Sequence, residues 1–71
     1  MTDMKTRRYH IDLNGRRVCR TQPLPRALDA LPIFAGDPAA CYARRIAPSA
    51  WVARCAYADD SVLQIVITPV Q

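Results

Sequence analysis

The sequence predicts an α+β domain: two β-hairpins forming an antiparallel sheet, with one or two short helices packed on one face, in the order β-β-α-α-β-β. Three observations carry this expectation. Tyr9, Ile11 and Leu13 alternate with polar residues up to an Asn14-Gly15 pair, Ala39, Tyr42, Ala43 and Ile46 recur at helical spacing after Asp37-Pro38, and two segments of β-branched and aromatic residues flank Asp59-Asp60-Ser61. Residues 1–71 read as one domain, because no repeat, low-complexity tract or linker divides them.

Asn-Gly supplies the two positive φ angles of a type I′ hairpin turn. Pairing Leu13 with Arg16 then sets Asp12 opposite Arg17, Ile11 opposite Val18, His10 opposite Cys19 and Tyr9 opposite Arg20. Thr21 to Pro25 ends this hairpin, since closely spaced prolines remove ladder donors. Pro25 opens a short helical turn through Leu31, and Pro32 stops it.

Asp37-Pro38 is a helix start, with a carboxylate cap and a proline where no donor is needed. The helix is expected to run to Ala47, with Ala39, Tyr42, Ala43 and Ile46 as its inner stripe and Arg44 and Arg45 toward solvent. Trp51 to Ala58 and Val62 to Thr68 form the second hairpin. A three-residue loop pairs Ala58 with Val62 and groups Trp51, Ala53, Cys55 and Tyr57 with Leu63, Ile65 and Ile67 on the core face. Val52, Arg54, Ala56, Val62, Gln64 and Val66 then share the opposite, half-apolar face, which suits a contact surface.

A 71-residue chain has room for one core and buries only about 60 % of its unfolded surface. Oligomerisation or a partner would therefore add stability. The apolar run Val62 to Val70 is far short of the ~20 residues of a spanning helix, and the first residues lack the apolar stretch of a signal peptide. Three cysteines, Cys19, Cys41 and Cys55, are an odd and widely spaced set, expected to be reduced, semi-buried thiols. The expected location is cytoplasmic.

Catalysis is not expected. His10, the single histidine, would lie across the hairpin from Cys19, but nothing nearby supplies an orienting group or oxyanion cradle. Cys19, Cys41, Cys55 and His10 are zinc-ligand types without the short cysteine knuckles of a structural site. The aspartates show no paired spacing around a substrate, and two glycines make no phosphate loop. No metal or cofactor is expected.

Ten Lys plus Arg against six acids give a net charge of +4, and nine of the ten cations are arginine. That balance favours an acidic partner. The expected partner-binding residues are Arg16, Arg17 and Arg20 on the first hairpin, Arg44 and Arg45 on the second helix, and Arg54, Val52 and Val66 on the outer sheet face. Arginine is a frequent interface anchor, and a small rigid hairpin presents it at low ordering cost.

In its length, bare α+β hairpin layout and lack of catalytic motifs, the chain resembles the short inhibitors encoded by phages and other mobile elements, anti-CRISPR proteins among them. The resemblance implies a non-enzymatic module that binds a larger bacterial protein or ribonucleoprotein and occludes a functional surface. The alternative is an arginine-rich nucleic-acid-binding regulator, although no helix-turn-helix or RNA-binding aromatic motif is present. Self-association through the outer valines or an edge strand is compatible with either.

Overall fold

Asn14 and Gly15 sit at φ 50° and 83°, the positive pair that a type I′ turn requires. They join β1 (Arg7–Leu13) to β2 (Arg16–Leu24). The computed structural model describes residues 7–70, apart from the side chains of residues 19–22. The side chains of Cys19 and Arg20 therefore lie outside the described set.

Leu13 pairs with Arg16 and Asp12 with Arg17, as the turn dictates. The register then departs from the sequence expectation, with Ile11 opposite Cys19 and Tyr9 opposite Gln22. A shift on each side of Ile11 admits one extra residue into β2, which is how a bulge lengthens one strand against its partner. The expected pairs Ile11–Val18, His10–Cys19 and Tyr9–Arg20 are not formed. Val18, the extra residue of the first bulge, is 46 % exposed.

β2 also continues through Pro23 to Leu24, past the expected hairpin end. Proline is tolerated there because β2 is an edge strand and Pro23 has no donor to lose. The chain then forms a 3-10 turn over Ala27–Asp29 that leads into α1 (Ala30–Phe34). The Asp29 carboxylate accepts the Arg26 backbone N–H at 3.1 Å, satisfying one of the orphan donors at the helical start. Pro32 does not stop the segment. It occupies the first turn of α1, where a backbone donor is dispensable.

The largest correction concerns residues 37–47. They form no helix; Ala40–Ala47 is strand β3, exposed along its whole length. Asp37-Pro38 carries a start signal, but the residues after it also alternate, with Tyr42 and Arg44 on one side and Cys41, Ala43 and Arg45 on the other. A helix here would need core to cover, whereas a strand gains ladder bonds from its neighbour. The expected stripe Ala39, Tyr42, Ala43 and Ile46 accordingly covers nothing, and Tyr42 is 77 % exposed.

β3 turns at Pro48-Ser49 into β4 (Ala50–Ala56), which connects to β5 (Val62–Pro69). Ala56, not Ala58, pairs with Val62, so residues 57–61 form a longer loop than expected. In this loop Tyr57 N–H donates to the Ser61 carbonyl at 2.9 Å. The Asp59 carboxylate accepts the Ser61 N–H at 3.0 Å and its hydroxyl at 2.6 Å. The register differs from the expected one by an even step, so the two faces are those read from the sequence.

The sheet order is β2-β1-β5-β4-β3, all antiparallel. The observed order is thus β-β-α-β-β-β, a mostly antiparallel sheet with one short helical segment. Ile11, Ile65, Ile67 and Cys55 are fully buried on the inner face. Tyr9, Ala53 and Leu24 at the end of β2 join them, and Ala27, Ala30 and Ala35 complete the core from the covering segment. Alanines at Ala27 and Ala30 let that segment approach closely, and each buried isoleucine contributes roughly 1.5–3 kcal/mol. Tyr57 fastens the cover by donating its hydroxyl hydrogen to the Ala35 carbonyl. Among the described residues, no helix is long and apolar enough to cross a membrane.

Candidate functional site: the open face of the sheet

Among the described residues, a single short segment covers one face of the five-stranded sheet and the other face is left open. Alternation decides what that face carries. Val52 pairs with Val66 and Arg54 with Gln64 across β4 and β5. On the other side of β4, Arg44 lies opposite Val52 and Tyr42 opposite Arg54. These side chains border a shallow depression of ≈ 380 Å³ lined by Tyr42, Ala43, Arg44, Val52, Arg54 and Gln64.

The patch joins apolar area to positive charge. Val52, Gln64 and Val66 are half-buried by their neighbours, while Arg44 and Arg54 are exposed. The ion pairs resolved among the described residues are Arg17–Asp12 and Arg26–Asp29. Neither involves Arg44 or Arg54. Beyond Val66 lies Asp12, its cross-strand partner in β1. The Arg17 Nε donates to Asp12 at 2.8 Å, and this bond holds the Asp12 carboxyl below its ordinary value against a smaller opposing effect of burial. Asp12 therefore does not compete for the two outer arginines.

The eight residues expected to bind a partner are distributed as follows. Arg44, Arg54, Val52 and Val66 come together on the open face. Arg17 shares that side at the hairpin tip, already paired with Asp12. By register Arg16 falls on the Leu13 side, toward the covered face. Arg45 also leaves the group: its strand position sends it to the inner side, where its guanidinium stacks 5.4 Å from the Trp51 ring centroid. The expectation that Arg44 and Arg45 project together from a helix is thus corrected, because successive strand residues point to opposite faces. Arg20 lies outside the described side chains.

Tyr42 is the member of the patch that the sequence reading missed. Helical spacing places it in a buried stripe, and only the alternation of Tyr42 and Arg44 with Cys41, Ala43 and Arg45 signals its outward position.

The cross-strand pairing of His10 with Cys19 expected from the sequence is not formed. Ile11 rather than His10 lies opposite Cys19, and His10 pairs instead with Thr68 of β5. Cys41 and Cys55 face each other at the far end of the sheet, on the opposite face from His10. Among the described residues, no three His, Cys, Asp or Glu side chains are grouped to hold a metal ion.

No protein-family model, curated protein or solved structure matches the chain.

Proposed function

We propose that the chain is a non-enzymatic protein-binding module that inhibits or modulates a larger bacterial protein or ribonucleoprotein by occluding part of its surface. The observation that carries this reading is the open sheet face, where Tyr42, Arg44 and Arg54 flank the valine pair Val52–Val66. Tyrosine and arginine are the residue types most often found as binding hot spots. A strand-borne patch loses little conformational freedom on docking. Two guanidinium groups with no ion-pair partner among the described residues call for a partner whose facing surface is acidic.

Protein is favoured over nucleic acid as the partner because the arginines divide between faces. Arg44 and Arg54 lie outside, Arg45 covers Trp51 on the inside, and Arg26 is engaged with Asp29. A nucleic-acid strand is better held by one continuous basic track.

The test is affinity capture from a bacterial lysate treated with nuclease, comparing the parent chain with an Arg44→Glu/Arg54→Glu variant. Ile33→Ser, a change at an exposed residue of α1, serves as the control. The expected result is one stoichiometric protein partner retained by the parent and by I33S and lost by the charge-reversed chain. Equal capture by the charge-reversed chain removes the open face from the reading. Loss of every partner after nuclease transfers the function to nucleic acid.

A further inference from the structure

Cys41 and Cys55 are directly opposed on β3 and β4, with their Sγ atoms 2.6 Å apart. The backbone around them fixes the kind of pairing. Tyr57 donates its N–H to Ser61 of the β5 side, and the Ala56 carbonyl accepts from Ala39 on the β3 side. Alternation along β4 therefore turns the backbone groups of Cys55 toward β5, which makes Cys41–Cys55 a non-hydrogen-bonded pair. Such pairs hold their Cα atoms about 4.5 Å apart, within the span of a disulfide. The two thiols also differ in access: Cys41 is exposed and Cys55 buried.

We propose that Cys41 and Cys55 form a redox-active thiol pair that closes to an intrachain disulfide stapling edge strand β3 to β4. The oxidant is a low-molecular-weight disulfide such as glutathione disulfide. The Cys41 thiolate attacks one of its sulfurs, forming a mixed disulfide and releasing one glutathione thiolate, which takes up a proton. Cys55 then gives up its proton and its sulfur attacks the Cys41 sulfur. The Cys41–Cys55 bond forms, the mixed disulfide breaks and a second glutathione leaves. Two protein thiols are oxidised by two electrons and one small disulfide is reduced to two thiols.

The order of events follows from access. An attacking thiol must meet the oxidant in solvent, and only Cys41 of this pair does. Burial, and after it the hydrogen bond with Cys41, push the Cys55 thiol upward, which suits a resolving group that reacts only with a sulfur already at its side. The inference is independent of the protein-binding reading, because its readout is the thiols themselves. Its consequence would reach the open face, since Tyr42 and Arg44 ride on the strand that the staple secures.

The experiment is oxidation of the folded chain in glutathione buffers, followed by alkylation of remaining thiols, tryptic digestion and mass spectrometry. Cleavage at the arginines places Cys41 in residues 27–44 and Cys55 in residues 55–71, so the bond appears as a linked peptide pair. The expected result is that linked pair, reversed by a dithiol and unchanged in Cys19→Ser. Cys55→Ser accumulates one glutathione on Cys41, while Cys41→Ser leaves Cys55 unmodified in the native state. Closing a loop of about 15 residues raises the folding equilibrium constant on the order of a hundredfold, read as a higher urea midpoint for the oxidised chain. A parent chain that keeps both thiols free under excess oxidant, retains glutathione on Cys41, or links Cys41 to Cys19 overturns the proposal. The parent digest decides this even where a cysteine variant fails to fold.

Discussion

Asn14 grips Gln64 with two hydrogen bonds: its backbone N–H donates to the Gln64 carbonyl at 2.8 Å, and its side-chain oxygen accepts the Gln64 N–H at 2.9 Å. The residue that makes the first hairpin turn thus also extends the β1–β5 ladder by one step. Asn14 is doubly specified, by its positive φ and by this bond.

Asn14→Ala is expected to destabilise the fold by about 1–3 kcal/mol, combining a left-handed backbone cost with loss of a partner for Gln64. Asn14→Gly removes only the bond and is expected to cost less than alanine. Urea denaturation of the three chains separates the two contributions.

Val18 and Ile65 test the bulged register. A β2 in simple register would bury Val18 against Ile11, whereas the observed bulge leaves it exposed. Val18→Ala is expected to change stability by less than about 0.5 kcal/mol. Ile65→Val, at a fully buried site, is expected to cost about 0.5–1.5 kcal/mol. Comparable losses at the two positions in thermal or urea melts would contradict the bulge.

How far such features are legible in the sequence depends on how local their causes are. The Asn14-Gly15 turn and its first two pairs need only the turn residues, and the inner and outer faces of β4 and β5 need only a period of two. The open-face residues Val52, Arg54 and Val66 were therefore readable in advance. The bulges in β2 lie on either side of the Ile11–Cys19 pair, and the turn residues that set the first two pairs carry no sign of them. Residues 37–47 carry a helix start and alanines, and only the free edge of β4 makes a strand the better solution for Ala40–Ala47. That nonlocal decision moved Tyr42 into the candidate site and Arg45 out of it.

The single tryptophan reports on the same strand. Arg45 stacks on Trp51, and cation–π contacts at exposed sites contribute about 0.5–1 kcal/mol. Arg45→Ala is expected to lower stability by about that amount and to shift Trp51 emission to the red as water reaches the ring. Arg44→Ala, on the opposite face, should leave the emission unchanged.

Acid sensitivity has a definite sign. Asp12 is held below its ordinary value chiefly by the Arg17 hydrogen bond, and Asp59 chiefly by the Ser61 hydroxyl and then by the Ser61 N–H. A carboxylate depressed in the folded state stabilises it above the unfolded-state value, and that contribution is lost as pH falls through the folded-state value. Stability is thus expected to decline below about pH 4. Asp12→Asn should flatten part of this decline when urea midpoints are compared across pH.

The strand order carries a kinetic consequence. β1 with β2, and β3 through β5, are each built from neighbours in sequence and zip locally. The ladder that joins them, β1 to β5, pairs residues about fifty to sixty positions apart. Loops of that length close late and at an entropic cost. The two local units therefore form before the centre of the sheet does, and until they meet, Ile11, Ile65 and Ile67 line open strand edges. The middle of the finished sheet is therefore expected to assemble last, and the interval before that encounter is when its unpaired edges are open to other chains.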